Sequence, residues 1–279
     1  MSEISRRFKG ALIGHFRSWS FTWDLVCSFG AVYLLQRNLP HWTGDEIRDN
    51  VVLYVCIAAF ALACLVAYRR ANSLRTETSW TDPAQEDNHG ALLTAEVLCS
   101  IAVVFMLLIP PFAFIAARAP SALVPTAMAL PVLLVNLTII VVASIGVFFL
   151  LSGYTLGTEG YSVFAWVIVV LGFSRSEVAE RVTDGLSGVP FLPAPSIGAA
   201  AGAVSRVFTP PIEELIKSSM AGTWAGHGLH LAQGLLIAAF TLCLSAYVVS
   251  RWGKYDRRER REIRAQDRQG SSAGDADAA

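Results

Sequence analysis

Residues 130–151 read LPVLLVNLTIIVVASIGVFFLL, an uninterrupted apolar stretch of 22 residues without a charged side chain. The hydrocarbon core of a bilayer is about 30 Å thick and requires about 20 such residues in a helix. A stretch of this length and composition predicts a membrane-spanning helix rather than a helix in the core of a soluble domain.

Further apolar stretches repeat this pattern along the chain. They lie at residues 18–36, 51–68, 97–117, 161–173 and 229–250. The stretch 161–173 is the short one, because its 13 residues would cover only about 20 Å at about 1.5 Å per residue. Charged residues make up 16% of the 279 residues, against about a quarter in soluble proteins. We therefore expect an all-α, polytopic membrane helix bundle within residues 1–250.

The positions of lysine and arginine favour six transmembrane helices over five. With six spans and the N-terminus inside, 15 basic side chains fall in inner segments and seven in outer segments. This is the asymmetry that membrane proteins show, with lysine and arginine concentrated on the cytoplasmic side. Omitting 161–173 would place the arginine-rich tail outside. We expect a multi-pass protein of the plasma membrane with both termini cytoplasmic, and a basic tail, 251–279, that is disordered at its end.

The stretch before the first span, ISRRFKGALIGHFRSW (residues 4–19), has the periodicity of an amphipathic helix. At about 100° per residue, its apolar side chains fall on an arc of about 120°. These residues are Ile4, Phe8, Leu12, Phe16 and Trp19. The arginines lie off this arc, which predicts an interfacial helix with its basic face toward anionic head groups. The same charges also suit the ordinary inner flank of a first span.

Two polar segments are long enough to do more than connect spans. The inner segment 69–96 is too polar to enter lipid, and Trp80 is its exposed aromatic residue. It suits either a docking site for a partner or a solvated connection. The outer segment 174–228 contains signals for short helices. One signal is Ser174 with Glu177, at capping-box spacing. The other is Thr209 with Pro210, followed by acidic residues in a first turn.

The second outer helix carries the residues that we single out on that side of the membrane. Glu213 and Glu214 belong to its predicted first turn, and Trp224 lies in the small-residue stretch MAGTWAGHGL that follows. We expect this part of the chain to form short surface helices against the bundle.

Motifs that would assign chemistry to this chain are missing from the sequence. There is no GxxxxGK[ST] loop for nucleotide phosphates, no HExxH and no GxSxG. The five cysteines all lie in apolar stretches and lack the close pairing of a disulfide framework or a zinc ribbon. The formal net charge is zero, which disfavours a nucleic-acid partner. We expect no catalytic residues, no cofactor and no metal site.

Polar residues inside spans are candidate functional residues, because a charge at mid-bilayer costs about 2.5 to 3.5 kcal/mol. Asp24 in the first span suits a substrate or proton site, but more readily an internal ion pair or a side chain that reaches the interface. Asn136 and Thr138 in the fourth span predict hydrogen bonds across helices. Pro110 and Pro111 predict a bend in the third span with freed backbone carbonyls, which is either architectural or lines a path.

This layout resembles that of ABC-2-type permease subunits, the membrane components of ABC transporters that are mostly exporters. The similarity lies in ISRRFKGALIGHFRSW before span one, the six spans, RRANSLRTETSWTDPAQEDNHG between spans two and three, and TPPIEELIKSSMAGTWAGHG between spans five and six. It covers nearly the whole chain but contains no signature motif. In that family the first element is an interfacial connecting helix, the inner loop docks on the ATPase, and the outer segment carries short helices.

The resemblance implies a permease that pairs with a second permease subunit and receives a separate ATPase chain. The segment that would couple ATP-driven motion to the spans contains Leu74, Trp80, Thr81, Asp82 and Pro83. Two other classes of function remain open. One is a non-transporting assembly or regulatory subunit, which would have the same spans. The other is an ion-coupled secondary transporter, which would be expected to show internal repeats and midplane charges.

Overall fold

The computed structural model describes residues 3–43, 45–78, 89–120, 129–151 and 211–248, and these residues are helical, without a strand among them. A 3-10 turn, Leu39–His41, follows the second helix. The helices are α1 (Glu3–Arg17), α2 (Trp19–Asn38), α3 (Asp45–Thr78), α4 (His89–Arg118), α5 (Ala129–Leu150), α6 (Ile212–Ala221) and α7 (Gly228–Val248).

Four helices in the described part of the chain are long and apolar enough to cross a membrane. They are Glu46–Ala71 in α3, Gly90–Arg118 in α4, and the whole of α5 and α7. They coincide with the predicted spans 51–68, 97–117, 130–151 and 229–250. The prediction of an all-α protein with several membrane-length helices is therefore confirmed.

The other two predicted spans are not among these four helices. The first, 18–36, forms α2, which is helical but less apolar than the other four because it contains Asp24 and two tryptophans near its start. The fifth, 161–173, lies outside the described residues, as do the predicted helix that begins at Ser174 and the tail 251–279.

Contacts at the helix ends define the directions of the helices. Arg69 and Arg70 near the end of α3 pair with residues near the starts of the two adjacent helices, Asp24 of α2 and Glu96 of α4. α3 is therefore antiparallel to α2 and to α4. At the opposite end Gly222, just after α6, lies against Arg48 near the start of α3 and Ala129 at the start of α5. α3 and α5 are therefore parallel. We call the first of these the α1 end of the bundle and the second the α6 end.

α7 packs beside α5 in the same direction. A methyl group on Gly234 would lie 2.7 Å from Cγ2 of Ile139, and one on Gly146 would overlap the hydroxyl of Thr241. The second contact lies seven residues further along both helices than the first, so the two helices run parallel. Glycine permits this close approach because it has no side chain, as at other small-residue interfaces between membrane helices.

α5 is the central helix of the described bundle. Its sequence is apolar all round, which is typical of a helix inside a large core or a membrane. Accordingly, 78% of its span is buried, against 22% for α7. α7 instead exposes large apolar side chains such as Leu236 and Phe240.

The two prolines lie inside α4, as predicted, and one of the carbonyls that they free has a partner. Pro111 has no amide hydrogen, so the carbonyl of Leu107, four residues earlier, lacks its helical donor. The Ser28 hydroxyl of α2 donates a hydrogen bond of 2.5 Å to that oxygen. The proline pair therefore helps to join α4 to α2.

α1 is a separate helix, and its packed face differs from the predicted apolar arc. It ends at Arg17, where the Ser18 hydroxyl donates to the carbonyl of His15 at 2.7 Å. Phe8 and Leu12 pack against the core and His15 is buried, whereas Ile4 and Phe16 remain exposed. The face is rotated toward His15 because polar contacts to α2 and α3, and not only apolar area, hold the helix.

Candidate functional site

A buried ion pair connects α2 to α3 at the α1 end. Asp24 is fully buried, and Arg69 donates from Nη1 to its Oδ1. The same Arg69 nitrogen lies 3.0 Å from the backbone oxygen of Ser20. Nε2 of His15, on α1, lies 3.3 Å from the second Asp24 oxygen, without the alignment of a hydrogen bond. Asp24 thus joins three helices.

A second ion pair beside the first connects α3 to α1 and α4. Nη1 of Arg70 lies 3.1 Å from Oε2 of Glu96, and its Nη2 donates to the backbone oxygen of Ala11 at 2.7 Å. Nη2 also lies 3.0 Å from the sulfur of Cys99. Arg70 and Glu96 are both largely buried. We call Asp24, Arg69, Arg70, Glu96 and His15 the α1-end network.

Burial of these charges requires that they be paired. An isolated charge removed from water loses far more hydration energy than a weak contact restores, and a charge pair recovers the loss only with good geometry and further hydrogen bonds. Here the two arginines also reach backbone oxygens, which adds a charged contact beside each ion pair. The network therefore fixes α1, α2, α3 and α4 relative to one another.

A cavity of about 620 Å³ opens beside this network. Its walls come from α1, the start of α2, the end of α3 and the start of α4. Arginine side chains from α1 and α3 face it, together with Glu96 of α4.

The predicted coupling segment is described only in part. Leu74 lies on α3, one turn beyond Arg70, and is 1% exposed. Trp80, Thr81, Asp82 and Pro83 lie outside the described residues. α3 and α4, the two helices that flank this segment, are the helices that Arg70 and Glu96 join.

A polar cluster without net charge lies at the α6 end. Asn136 of α5 is fully buried and donates from Nδ2 to the backbone oxygen of Leu215 and to the hydroxyls of Ser218 and Ser219, each at 3.0 Å. Its Oδ1 accepts a hydrogen bond of 3.2 Å from Nε1 of Trp224. One amide side chain thus holds α6 and the turn after it against α5, as the predicted interhelical role of Asn136 requires.

Thr138 does not share this role, and the prediction for it is wrong. Its side chain is exposed, and its hydroxyl donates to the carbonyl of Leu134 in its own helix at 2.8 Å. Thr138 lies one turn after Leu134 on the outer face of α5, about 200° around the helix from Asn136. The bond within its own helix satisfies its hydroxyl, since no other described helix offers it an acceptor.

The acidic residues of α6 are in its first turn, as predicted. Nζ of Lys217 lies 2.8 Å from Glu213 and 3.1 Å from Glu214. Nδ1 of His227 lies 3.5 Å from the other Glu214 oxygen. Hydrogen bonding to Glu213, and then to Glu214, raises the pKa of Lys217. This contribution to stability is complete at neutral pH and is lost only as the pH rises through the raised pKa.

The local sequence explains why α6 ends where it does. Gly222 follows its last residue with φ of 64°, a left-handed conformation that glycine adopts without strain. The Cβ of any other residue there would also lie only 2.8 Å from Nη2 of Arg48. The predicted N-terminal signals, Thr209 and Pro210, lie outside the described residues, and the helix begins at Ile212.

Sequence reasoning singles out Asp24 but not its partners. Arg69 and Arg70 count there only as inner charges, although their position directly after an apolar run is a usable signal. Residues that end one span and residues that begin the span before it lie at the same depth in an antiparallel pair. His15 carries no such signal, because only the rotation of α1 brings it to Asp24.

Comparison with family models, curated proteins and solved structures found no match. The chemistry that bears on function lies at the two ends of the bundle. At the α1 end, charged side chains join four helices around a polar cavity. At the α6 end, a short helix is held against the bundle by one buried amide.

Proposed function

We propose that this protein is the membrane-spanning permease subunit of an ATP-driven ABC exporter, working with a separate ATPase chain and a second permease subunit. In this proposal the chain has six spans in the plasma membrane, with both termini in the cytoplasm. α1 is the connecting helix at the inner interface. α6 is one of the short outer helices between spans five and six.

The parallel direction of α5 and α7 supports six spans. A chain that leaves α5 at the α1 end and enters α7 at the α6 end has to return across the thickness of the bundle between them. One further crossing, at the predicted fifth span 161–173, meets this requirement.

The separation of the two polar ends supports the proposed depth in the membrane. Arg48 and Arg69 lie on α3 about 32 Å apart, at about 1.5 Å per residue. This matches the thickness of a hydrocarbon core. In this proposal the α1-end network and the α6-end cluster lie near opposite interfaces.

The observation that carries the proposal is the position of α1. It packs along α4 and is tied by Arg70 to the end of α3. α3 and α4 are the helices on either side of the inner segment that docks on the ATPase in ABC-2-type permeases. An N-terminal helix attached to these two ends is what a connecting helix requires.

This arrangement also supplies a route for coupled motion. A push on the segment from Leu74 to Ala84 acts first on the inner ends of α3 and α4. Arg69 and Arg70 then transmit it to α2 and α1 through their charged contacts with Asp24 and the backbone oxygen of Ala11. The result is a tilt of several helices together, the rigid-body motion common in transporters.

Affinity purification of the full chain in mild detergent tests the partner. We expect recovery of a nucleotide-binding ATPase whose ATP hydrolysis increases when the chain is bound. Recovery of the chain without any ATPase would contradict the exporter proposal and favour the assembly or regulatory class.

Substitution in the docking segment tests the coupling. Trp80→Ala should reduce the stimulation of ATP hydrolysis at least about fivefold, the loss of about 1 kcal/mol of binding energy. Trp42→Ala is the matched control, because Trp42 follows the end of α2 and contacts Tyr54 near the start of α3, at the opposite end of the bundle from Leu74. Equal stimulation in the Trp80 variant and the control would remove the coupling assignment.

A further inference from the structure

The cavity at the α1 end carries an excess of positive charge. Its walls contain four arginines, Arg6 and Arg7 of α1 and Arg69 and Arg70 of α3, against one carboxylate, Glu96. Asp24 pairs with Arg69 from behind the wall and adds a second negative charge. Among the described residues that line or back the cavity, four arginines therefore stand beside two carboxylates.

Two of these arginines are held in place without any ligand. Arg69 is oriented by Asp24 and the backbone oxygen of Ser20, and Arg70 by Glu96 and the backbone oxygen of Ala11. An arginine that is already oriented loses little conformational freedom when it binds an anion. Guanidinium groups bind phosphate oxygens in pairs, which makes arginine the usual residue for phosphate recognition.

The cavity, at about 620 Å³, also has room for a phosphate group. Gly10 and Gly14 line it from α1, and a methyl group on either would meet no atom within 4 Å. Glycine weakens a helix relative to alanine, so two glycines one turn apart call for a packing or functional reason. None of the described helices fills the space in front of them. The space instead adjoins the four arginines.

The position of the cavity relative to the membrane identifies the source of the phosphate. Arg69 lies about 32 Å along α3 from Arg48, so it lies near an interface, at the depth of lipid head groups. Phe16 of α1 and Trp19 of α2 are exposed aromatic side chains next in sequence to residues that line the cavity. They offer an apolar surface along which acyl chains can lie.

We propose that this cavity binds the phosphate of an anionic phospholipid, with Arg6 and Arg7 completing a site that Arg69 and Arg70 pre-organise. The glycine face of α1 accommodates the head group. Basic pockets between helices near the cytoplasmic face of the membrane are suited to such lipids. The inference depends on the protein being embedded in a membrane and not on its having an ATPase partner.

Thermal stability of the purified full chain in detergent provides the first test. Because a ligand stabilises the state that binds it, dioctanoyl phosphatidylglycerol should raise the melting temperature in a concentration-dependent way. Dioctanoyl phosphatidylcholine and inorganic phosphate at the same concentrations should not. Equal stabilisation by inorganic phosphate would identify a free-anion site, and equal stabilisation by phosphatidylcholine would identify a nonspecific lipid effect. Either result would overturn the proposal.

Charge variants test the assignment of the arginines. At the strength typical of a basic residue near an anionic surface, Arg6→Gln should weaken phosphatidylglycerol binding about fivefold, and Arg6→Gln with Arg7→Gln about thirtyfold, which corresponds to about 2 kcal/mol. Arg17→Gln is the matched control, because Arg17 lies on α1 but not on the cavity wall. Unchanged affinity in the double variant would overturn the site.

Filling the cavity tests the site without removing charge. Gly14→Leu should abolish the stabilisation by phosphatidylglycerol, since its side chain would occupy the space for the head group. Gly30→Leu is the control, because Gly30 is a helical glycine with equally open surroundings on α2. Retained binding in a folded Gly14→Leu protein would contradict the proposal, and Arg6→Gln, at an exposed residue, keeps the test decisive if that variant does not fold.

Discussion

Asp24 illustrates how a single residue acquires its meaning from its partners. Fully buried, paired with Arg69 and 3.3 Å from His15, it has the environment of a structural ion pair that joins helices. This disfavours the view of Asp24 as an isolated midplane carboxylate for ion coupling. Its value to the protein is then best measured as an interaction energy.

We expect Asp24→Asn to lower the free energy of unfolding by about 1–3 kcal/mol. Removing one partner of a buried pair leaves the other uncompensated, at a cost of about 3–5 kcal/mol when both are buried. The smaller figure applies here because the Arg69 side chain is 30% exposed. Denaturation in mixed detergent micelles measures the change. Arg69→Gln in the same chain should make the double variant less destabilised than the sum of the single variants, and strict additivity would contradict the pair.

Asn136 and Thr138 provide a matched comparison on one helix. Asn136→Leu removes the hydrogen bonds that hold α6 and leaves the indole N–H of Trp224 without its acceptor, so α6 should detach more often. We expect exchange of the amide hydrogens of α6 to accelerate about tenfold to a hundredfold, equivalent to about 1.4–2.8 kcal/mol. Thr138→Val should leave this exchange unchanged, because Thr138 bonds only within its own helix. Similar exchange in both variants would refute the role of Asn136.

At the scale of the elements, contact between α5 and α7 depends on glycine more than on apolar area. α7 is mostly exposed, so its few close contacts, at Gly146 and Gly234, fix its position. Between membrane helices close packing of backbones replaces the hydrophobic effect as the source of attraction.

Gly146→Leu should therefore lower the free energy of unfolding by about 1–3 kcal/mol, the usual cost of forcing a larger side chain into a packed contact. The same measurement on Gly30→Leu should change by less than about 0.5 kcal/mol, because nothing lies within 4 Å of that position. A result in which Gly146→Leu is as stable as the control would mean that α7 does not pack on α5 as described.

At the scale of the whole molecule, the two ends of the bundle are chemically distinct. The α1 end contains buried ion pairs and an arginine-lined cavity, whereas the α6 end contains an uncharged hydrogen-bonded cluster around Asn136. The excess of basic residues at the α1 end is the asymmetry expected of a cytoplasmic face.

Labelling with a membrane-impermeant thiol reagent tests this orientation. In a chain whose exposed Cys27 and Cys243 are replaced by serine, Ala225→Cys should react in intact cells. Lys9→Cys, and a cysteine reporter added after Ala279, should react with the reagent only after permeabilisation. Labelling of Lys9→Cys and Ala225→Cys from the same side would contradict the placement of the two ends. Exterior labelling of the C-terminal reporter would contradict six spans.

Several features of this protein follow from the sequence by itself. Stretches of about 20 apolar residues can satisfy their backbone in lipid only as helices, so the spans 51–68, 97–117, 130–151 and 229–250 are readable without a fold. The first turn of α6, with Glu213 and Glu214, and the carbonyl freed by Pro111 are also local consequences of residue type.

Only the tertiary structure decided which residues meet. The pairing of Asp24 with Arg69, the rotation of α1 that buries His15, and the choice of Asn136 over Thr138 as the contact to α6 all depend on how helices are turned and set side by side. An apolar stretch is nearly uniform around its axis, so its sequence specifies that a helix forms but not which face it turns toward a neighbour. That choice comes from a few polar side chains and glycines, each of which has a partner far away in the chain.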